Sequence, residues 1–256
     1  MKAHKTSIIH KKAKIADSVE IGPYSIIKEH VQIGEGTKIG SHCLIEDFTT
    51  IGTNNTIFTG AVIGSIAQDL KFKGEKNFVV IGNNNIIREY VTINRATNLN
   101  SKTIVGNNIL IMAYSHVAHD CVIRDGAILA NAATLAGYVT VEEKAILGGL
   151  VGVHQFITIG KHSIIGGCSK VTQDVPPFCM LDGHPARFYG INKIGLKRAG
   201  VPDSKTKALE KAARIFFKTG VIRSKAVQEI KKSYGDDKFV KQFLDFIQKS
   251  KRGICR

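Results

Sequence analysis

Three residues carry a side chain or a backbone group suited to chemistry and follow one another at intervals of 18 residues: His119, Gly137 and Gln155. An imidazole exchanges its proton near neutral pH, which suits a general base, and the adjacent carboxylate of Asp120 is its expected partner. The N–H of a closely approaching glycine can stabilise an oxyanion. This pattern predicts direct attack by an acceptor hydroxyl, with His119 as the base and Gly137 as the oxyanion donor.

The same stretch contains residues that could form two other kinds of site, a cysteine nucleophile and a metal site. Cys121 stands at a position that the repeat described below assigns to the core, so a cysteine nucleophile is not predicted. His116 and His154 occupy repeat positions different from that of His119, and no further ligand accompanies them. The residues of this stretch therefore predict no metal site.

Aliphatic residues recur every six residues from Ile9 to Val171 and fill 26 of the 28 positions of this series, Leu99 included. The two exceptions, Asp69 and Glu75, lie in the segment 69–80, which has no repeat character and is predicted to be an extruded loop. Strict period six does not fit an α-helix, and Ile/Val-rich hexads favour strands. Such a hexapeptide repeat is typical of a parallel β-helix with three hexads per coil.

About nine coils at ~4.8 Å each would form a rod roughly 45 Å long. Four residues after most of these aliphatic residues comes a small or β-branched one, expected to point inward as well. Whole coils separate His119, Gly137 and Gln155, so all three are expected to face outward along one edge. The ladder is expected to stop at Pro176 and Pro177, because proline removes a donor.

Beyond residue 190 the pattern becomes helical, with helices predicted at 205–219, 225–234 and 239–249. Ser204, Ser224 and Asp236 or Asp237 are the predicted N-caps. The sequence thus predicts two domains, a β-helix at 1–190 and a basic helical domain at 191–256.

The net charge of +15 is concentrated in this second domain: residues 193–256 hold 18 Lys and Arg against 6 Asp and Glu. An acidic partner is expected, and nucleic acid, anionic lipid, a nucleotide diphosphate and an acidic carrier protein are the possibilities. The five cysteines form no CxxC pair, so reduced thiols are predicted. No leader or bilayer-spanning stretch is apparent, which favours the cytoplasm.

The sequence closely resembles one family, the acyl-carrier-protein–UDP-N-acetylglucosamine O-acyltransferases, which begin lipid A synthesis. The resemblance covers almost the whole chain. It is carried by His-Val-Ala-His-Asp-Cys at 116–121, Leu-Ala-Asn-Ala-Ala-Thr-Leu-Ala-Gly at 129–137, Gly-Val-His-Gln-Phe at 152–156, Gly-Gly-Cys-Ser at 166–169, Gln-Asp-Val-Pro-Pro at 173–177, Gly-Leu-Lys-Arg at 195–198, Gln-Asp-Leu-Lys at 68–71 and Ile-Arg-Glu at 87–89.

The resemblance implies a homotrimer of left-handed β-helices, with active sites between neighbouring subunits. The implied substrates are UDP-N-acetylglucosamine and a 3-hydroxyacyl group on acyl carrier protein, with no cofactor, nucleic acid or stable membrane insertion. Further residues match positions that hold the acceptor and acyl groups (Asp69, Lys71, His154 and Gln155) or lie near the nucleotide (Asn192 and Arg198).

Gly167 lies eight hexads beyond His119, roughly 13 Å along the rod, on a face shared with Ala113, Asn131 and Gly149. In the resembled family this glycine position limits acyl length, since a bulky residue there shortens the chain accepted. The resemblance therefore implies a hydroxymyristoyl-type donor.

Four residues differ from the family's common pattern: Tyr138 and Asn94 replace histidines, Ala96 replaces a glycine, and Ile194 replaces an acidic residue. The acceptor group stays open between a 3-hydroxyl and a 3-amine. A coenzyme-A-dependent acetyltransferase on the same scaffold is the nearest other enzyme, and a non-catalytic rod is the alternative outside enzymes.

Overall fold

The computed structural model describes residues 1–218 and 220–256. Its first part is the parallel β-helix that the hexads predict, with the left-handed turn that the resemblance implies, and its second part is α-helical. The strands, numbered along the chain, form three sheets that make the faces of a prism. The predicted fold class is confirmed.

Apart from the last two strands of the chain, which both join the first sheet, each sheet takes every third strand. The first sheet contains β1 (Lys2–Ala3), β4 (Glu20–Ile21), β7 (Lys38–Ile39), β10 (Thr56–Ile57), β13 (Ile86–Ile87), β16 (Leu110–Ile111), β19 (Ile128–Leu129), β22 (Ile146–Leu147), β25 (Ile164–Ile165), β27 (Cys179–Gly183) and β28 (Ala186–Ile191). The second contains β2 (Ile8–Ile9), β5 (Ile26–Ile27), β8 (Leu44–Ile45), β11 (Val62–Ser65), β14 (Thr92–Asn94), β17 (His116–Val117), β20 (Thr134–Leu135), β23 (Gly152–Val153) and β26 (Lys170–Val171). The third contains β3 (Lys14–Ile15), β6 (Gln32–Ile33), β9 (Thr49–Ile51), β12 (Phe78–Ile81), β15 (Lys102–Val105), β18 (Val122–Ile123), β21 (Thr140–Val141) and β24 (Thr158–Ile159).

The hexad aliphatics form the core, as predicted. From Ile21 to Val171 they are buried at every repeat position that a strand occupies. Strand partners in successive coils are 18 residues apart, as in the pairing of Lys38 with Thr56. Each inward side chain therefore packs on its equivalent in the coils before and after, and the core is a continuous ladder.

Two insertions interrupt the regular coils, and the sequence predicts only the first. The offset between partners rises to 30 where Val62 pairs with Thr92, and to 24 where Thr92 pairs with His116. The second insertion contains Leu99, whose side chain is 65% exposed, so its assignment to the core ladder was wrong. Because this insertion is one whole hexad long, the six-residue period continues through it, and the sequence pattern does not reveal the insertion.

The boundaries of the first insertion also differ from the prediction. Phe78–Ile81 forms β12, and Val79 is completely buried, so the extruded segment ends before Phe78 rather than at Val80. Pro176 and Pro177 do not end the sheet either. One more strand, β27, pairs in parallel with β25, and β28 then adds in antiparallel orientation. The prolines lie in the corner before β27, where no ladder donor is needed.

Among the described residues, the second part has four helices, α1 (Lys193–Arg198), α2 (Asp203–Phe217), α3 (Arg223–Tyr234) and α4 (Lys238–Lys249). The short α1 was not predicted. Ser204 and Ser224 lie inside helices instead of capping them, whereas Asp237 caps α4 as predicted, accepting hydrogen bonds from the N–H groups of Phe239 and Val240.

The predicted end of the first of these helices, Thr219, lies outside the described residues. Across residues 1–218 and 220–256, no helix combines the length and the apolar character needed to cross a lipid bilayer. The strands end at Ile191 and the helices begin at Lys193; the predicted limits of the two domains stay a prediction.

Candidate active site

His119, Gly137 and Gln155 lie in the corners that connect the second sheet to the third, here called the catalytic edge. The coils stack directly at this edge, because the Tyr138 N–H donates to the carbonyl of His119 at 3.0 Å and the Phe156 N–H to that of Gly137 at 3.1 Å. The expected shared edge is therefore present. His119 points away from the core of the prism, yet only 8% of the residue is exposed.

The imidazole of His119 is held between two carboxylates. Nδ1 is 3.0 Å from Oδ2 of Asp120, and Nε2 is 3.9 Å from Oδ2 of Asp69, which the first insertion carries. An ionised carboxylate can only accept, so Asp120 selects the tautomer with the proton on Nδ1. The lone pair of Nε2 is then directed toward Asp69 and is free to accept a proton.

The ring of His119 lies against Gly137. A Cβ on Gly137 would stand 2.3 Å from Cε1 of the imidazole, far inside van der Waals contact. Glycine is therefore required at this position for the ring to occupy its place. Within the described chain, the Gly137 N–H has no hydrogen-bond acceptor, so it is available to a ligand.

Asp120 is fixed by contacts that sequence reasoning missed. Its Oδ2 accepts from the N–H of Thr97 at 2.9 Å and from Thr97 Oγ1 at 2.8 Å, and its own N–H donates to Oγ1 of Thr103 at 2.8 Å. Thr97 comes from the second insertion, which folds back over the catalytic edge. Thr97 stands four residues after Ile93, where the repeat predicts an inward-facing side chain, so no signal in the sequence indicated this contact.

Tyr138 also contributes to the site. Its ring stacks on Phe156 with 4.9 Å between centroids and meets the His119 ring edge-on at 5.4 Å. Its hydroxyl is 2.8 Å from Oγ1 of Thr97 and accepts from Nδ2 of Asn98 at 3.2 Å. The tyrosine therefore links the catalytic edge to the second insertion.

The remaining residues matched to the acceptor and acyl groups are more exposed. Lys71 shares the first insertion with Asp69, and its N–H donates to Asp69 Oδ1 at 2.9 Å, while its side chain extends into solvent. His154 and Gln155 are exposed at the catalytic edge, two coils beyond His119. The structure thus brings Asp69 to His119 but leaves Lys71, His154 and Gln155 open to a ligand.

Gly167 lies in a different corner, between the first and second sheets. It stacks above Gly149, whose carbonyl accepts from the Cys168 N–H at 2.8 Å, and Gly149 stacks above Asn131 in the same way. The predicted shared face is thus present. A Cβ on Gly167 would meet only the backbone of Gly149, at 3.2 Å from its oxygen, and otherwise open space.

Asn192 and Arg198 line a cavity of about 750 Å³ between the first sheet and the helical domain. Asn192 caps α1, since its Oδ1 accepts from the Gly195 N–H at 2.9 Å, and its Nδ2 donates to the carbonyl of His162. Ile146 and Ile164 form the floor of the cavity. This cavity lies over a different face from the catalytic edge, so one chain does not bring these two residues to His119.

The contacts of His116 and Cys121 fit structural roles rather than catalysis. His116 Nδ1 is 2.7 Å from Oγ1 of Thr92, and burial together with the charge of His119 lowers the pKa of His116. Burial raises the pKa of the Cys121 thiol to about 12, and its Sγ donates to the carbonyl of Ala136. Cys121 is therefore a core residue, as predicted, and not a thiolate nucleophile.

Two family models match the sequence. The model described as Udp N-acetylglucosamine O-acyltransferase, Domain 2, matches residues 174–255. The model described as bacterial transferase hexapeptide (six repeats) matches residues 12–47 and 102–137.

Relatives extend the similarity over the entire chain. The acyl-[acyl-carrier-protein]–UDP-N-acetylglucosamine O-acyltransferase of Thermodesulfovibrio yellowstonii is 50% identical over 99% of this chain and 98% of its own. The protein of the same name from Aquifex aeolicus is 50% identical over 100% and 98%.

Solved structures of proteins with this activity in their names have the same fold. The UDP-N-acetylglucosamine acyltransferase of Bacteroides fragilis superposes with a TM-score of 0.96 at 41% identity, over 99% of each chain. That of Francisella novicida superposes with a TM-score of 0.95 at 41% identity, over 99% of this chain and 94% of its own. The chain belongs to the family of acyl-[acyl-carrier-protein]–UDP-N-acetylglucosamine O-acyltransferases.

Proposed function

We propose that this protein transfers a 3-hydroxyacyl group from acyl carrier protein to the 3-position of UDP-N-acetylglucosamine, the first step of lipid A synthesis. The observation that carries the proposal is the buried His119–Asp120 pair on the catalytic edge of a chain from this family. Its unprotonated Nε2 faces a space bordered by Asp69, where an acceptor hydroxyl can donate its proton.

In the proposed reaction the acceptor oxygen attacks the thioester carbonyl as Nε2 of His119 takes the hydroxyl proton. The resulting oxyanion accepts a hydrogen bond from the Gly137 N–H, which has no acceptor within the described chain. Collapse of the intermediate breaks the carbon–sulfur bond, and the imidazolium returns its proton to the departing thiolate. Asp120 stabilises the imidazolium throughout.

The substrate groups are assigned as follows. Asp69 Oδ2 is left free by the Lys71 backbone, which uses Oδ1, so it can accept from a second polar group of the sugar. Lys71, His154 and Gln155 are open to the acceptor and acyl groups. The thioester is already activated, so the scheme needs no cofactor.

The nucleotide is assigned to the cavity lined by Asn192 and Arg198, where a guanidinium can pair with phosphate. Because this cavity and the catalytic edge lie on different faces of one chain, a complete site requires a second subunit. This supports a homotrimer in which neighbouring β-helices place one subunit's cavity beside the other's His119. Acyl carrier protein is a cytoplasmic donor, and we assign the enzyme to the same compartment.

The direct test is incubation of the purified protein with UDP-N-acetylglucosamine and 3-hydroxyacyl carrier proteins, followed by mass spectrometry of the sugar nucleotide. We expect one acyl group on the sugar, linked at the 3-position. Parallel reactions with the 3-amino sugar nucleotide and with acetyl coenzyme A identify the alternative acceptor and donor. Absence of acylated product from both sugar nucleotides would refute the proposed function.

A further inference from the structure

Tyr138 is connected to the base by an unbroken chain of hydrogen bonds. Tyr138 Oη is 2.8 Å from Thr97 Oγ1, Thr97 Oγ1 is 2.8 Å from Asp120 Oδ2, and that oxygen is 3.0 Å from His119 Nδ1. The carboxylate of Asp120 determines the direction of each hydrogen bond in this chain. The carboxylate only accepts, so Thr97 gives its single hydroxyl proton to Asp120 and must accept from the Tyr138 hydroxyl.

The hydroxyl of Tyr138 is already used in both directions. It donates to Thr97 and accepts from Nδ2 of Asn98 at 3.2 Å. The ring is held as well, between the edge of His119 and the face of Phe156. A hydroxyl so engaged has little capacity left for a substrate, because a new partner would have to displace an existing one.

The chain affects the base through the position of Asp120. Hydrogen bonds in series polarise one another, so a donor to Thr97 makes the threonine hydroxyl a better donor to the carboxylate. Thr97 also holds the same oxygen through its N–H. With Oδ2 fixed in front of Nδ1, the proton stays on Nδ1 and the lone pair stays on Nε2.

We propose that Tyr138 is a positioning residue, which acts on His119 through Thr97 and Asp120 and does not need to touch either substrate. The proposal rests on the proposed function only in taking His119 as the base. It assigns a role to the second insertion too: Thr97 and Asn98 close over the catalytic edge and complete the relay.

The variants Tyr138→Phe and Thr97→Val interrupt the relay at two points. Tyr138→Phe keeps the stacked ring, and kcat is expected to fall about threefold to tenfold. Thr97→Val removes the hydroxyl donor to Asp120, and kcat is expected to fall by about tenfold or more. KM for both substrates is expected to stay within about twofold. Thr97→Ser, which restores the hydroxyl, is expected to recover most of the activity.

A matched control is Tyr114→Phe. Tyr114 occupies a similar left-handed corner and stacks on Tyr90 at 5.2 Å, but it lies outside the catalytic edge and is 64% exposed. This variant is expected to leave kcat unchanged.

If Tyr138→Phe instead acts mainly on KM for the sugar nucleotide, Tyr138 contacts the substrate directly and the proposal is overturned.

A double-mutant cycle tests the route of the effect. If Tyr138 acts through Asp120, Tyr138→Phe is expected to cause no further loss in an Asp120→Ala background. An equal fold-loss in both backgrounds would show that Tyr138 acts independently of Asp120 and would overturn the proposal.

The tautomer of His119 gives a readout that does not depend on turnover. The nitrogen-15 chemical shifts of the ring, recorded under alkaline conditions where imidazoles are neutral, are expected to show Nδ1–H in the wild type. Thr97→Val and Tyr138→Phe are expected to raise the Nε2–H population, in that order of effect. Unchanged tautomer populations in both variants would overturn the proposal and leave the proposed function intact, whereas absence of acylated product with the wild type would refute the proposed function.

Discussion

At the scale of single residues, the site depends on a glycine that leaves room for a ring. The imidazole of His119 occupies the space that a side chain on Gly137 would fill. Gly137 is absent from the residues with positive φ, so steric room rather than backbone conformation demands glycine here. The same close approach leaves the Gly137 N–H beside the base, where the oxyanion is expected to form.

Gly137→Ala is predicted to lower kcat by about 10²-fold or more, because the new methyl group displaces the ring from its position between Asp69 and Asp120. Steady-state kinetics with acyl carrier protein and UDP-N-acetylglucosamine measures the loss. Gly152→Ala is the matched control, since nothing lies within 4 Å of a Cβ there. Similar kcat values for the two variants would contradict the steric account.

The sequence predicted residues at the catalytic edge when their positions followed from the period. His119, Gly137 and Gln155 share one hexad phase, and the structure stacks them on one edge. Thr97 contacts both Asp120 and Tyr138 because its segment leaves the coil and folds back, and no periodicity describes that path. Their contacts could be found only in three dimensions.

At the scale of elements, the coils are held together by the inward ladder. Leu135 is completely buried, and its strand pairs with those of Val117 and Val153 in the adjacent coils. The corner that follows it carries Gly137. Stability of this ladder is therefore also what keeps the catalytic edge in register.

Leu135→Ala is predicted to lower the free energy of unfolding by about 2 to 5 kcal/mol, through lost burial and the cavity left behind. The neighbouring outward residue gives the control: Thr134 is exposed, and Thr134→Ala is expected to change the free energy by about 0.5 kcal/mol or less. Denaturant unfolding followed by circular dichroism compares them. Equal destabilisation would mean that the two faces of β20 are wrongly assigned.

The corner column of Asn131, Gly149 and Gly167 leads to a prediction about acyl length. Gly167→Met adds a side chain in a space bordered only by the Gly149 backbone, so it is predicted to shift donor preference toward shorter acyl chains at little cost in stability. Competition among carrier proteins bearing different 3-hydroxyacyl groups reports the preference. Gly152→Met is the control, and an unchanged chain-length profile in an active Gly167→Met variant would place the length limit elsewhere.

Sequence reasoning misplaced the elements at which the six-residue period does not show where the chain runs. A one-hexad insertion preserves the phase, so Leu99 looked like a core residue although it is exposed. Pro176 and Pro177 suggested an end to the sheet, yet a corner tolerates both and β27 follows. The short α1 depends on the cap by Asn192 and on packing of Leu196, which is completely buried, and six residues are too few for a periodic signal.

At the scale of the whole molecule, positive charge is concentrated at one end. The helical domain carries 18 of the 36 Lys and Arg residues but only 6 of the 21 Asp and Glu. An acidic carrier protein is attracted to such a surface over distances comparable to the screening length of ~8 Å at physiological ionic strength. The helical domain is therefore expected to recruit the acyl donor.

Lys207→Glu combined with Lys211→Glu reverses two exposed charges on α2. KM for the carrier protein is predicted to rise on the order of fivefold, equivalent to about 1 kcal/mol, and KM for the sugar nucleotide to stay constant. Added salt should reduce the difference between variant and wild type. The control, Lys11→Glu with Lys14→Glu, makes the same charge change at the far end of the β-helix; an equal effect there would mean that only net charge matters.

The central claim is that His119 removes the acceptor proton during acyl transfer, and the turnover number of His119→Ala tests it most directly. We predict a fall in kcat of at least ~10²-fold, with the melting temperature close to that of the wild type because the imidazole lies outside the core ladder. His10→Ala, at the N-terminal end of the β-helix, is expected to leave kcat unchanged. Near-normal turnover of a folded His119→Ala protein would remove His119 from the mechanism and contradict the account.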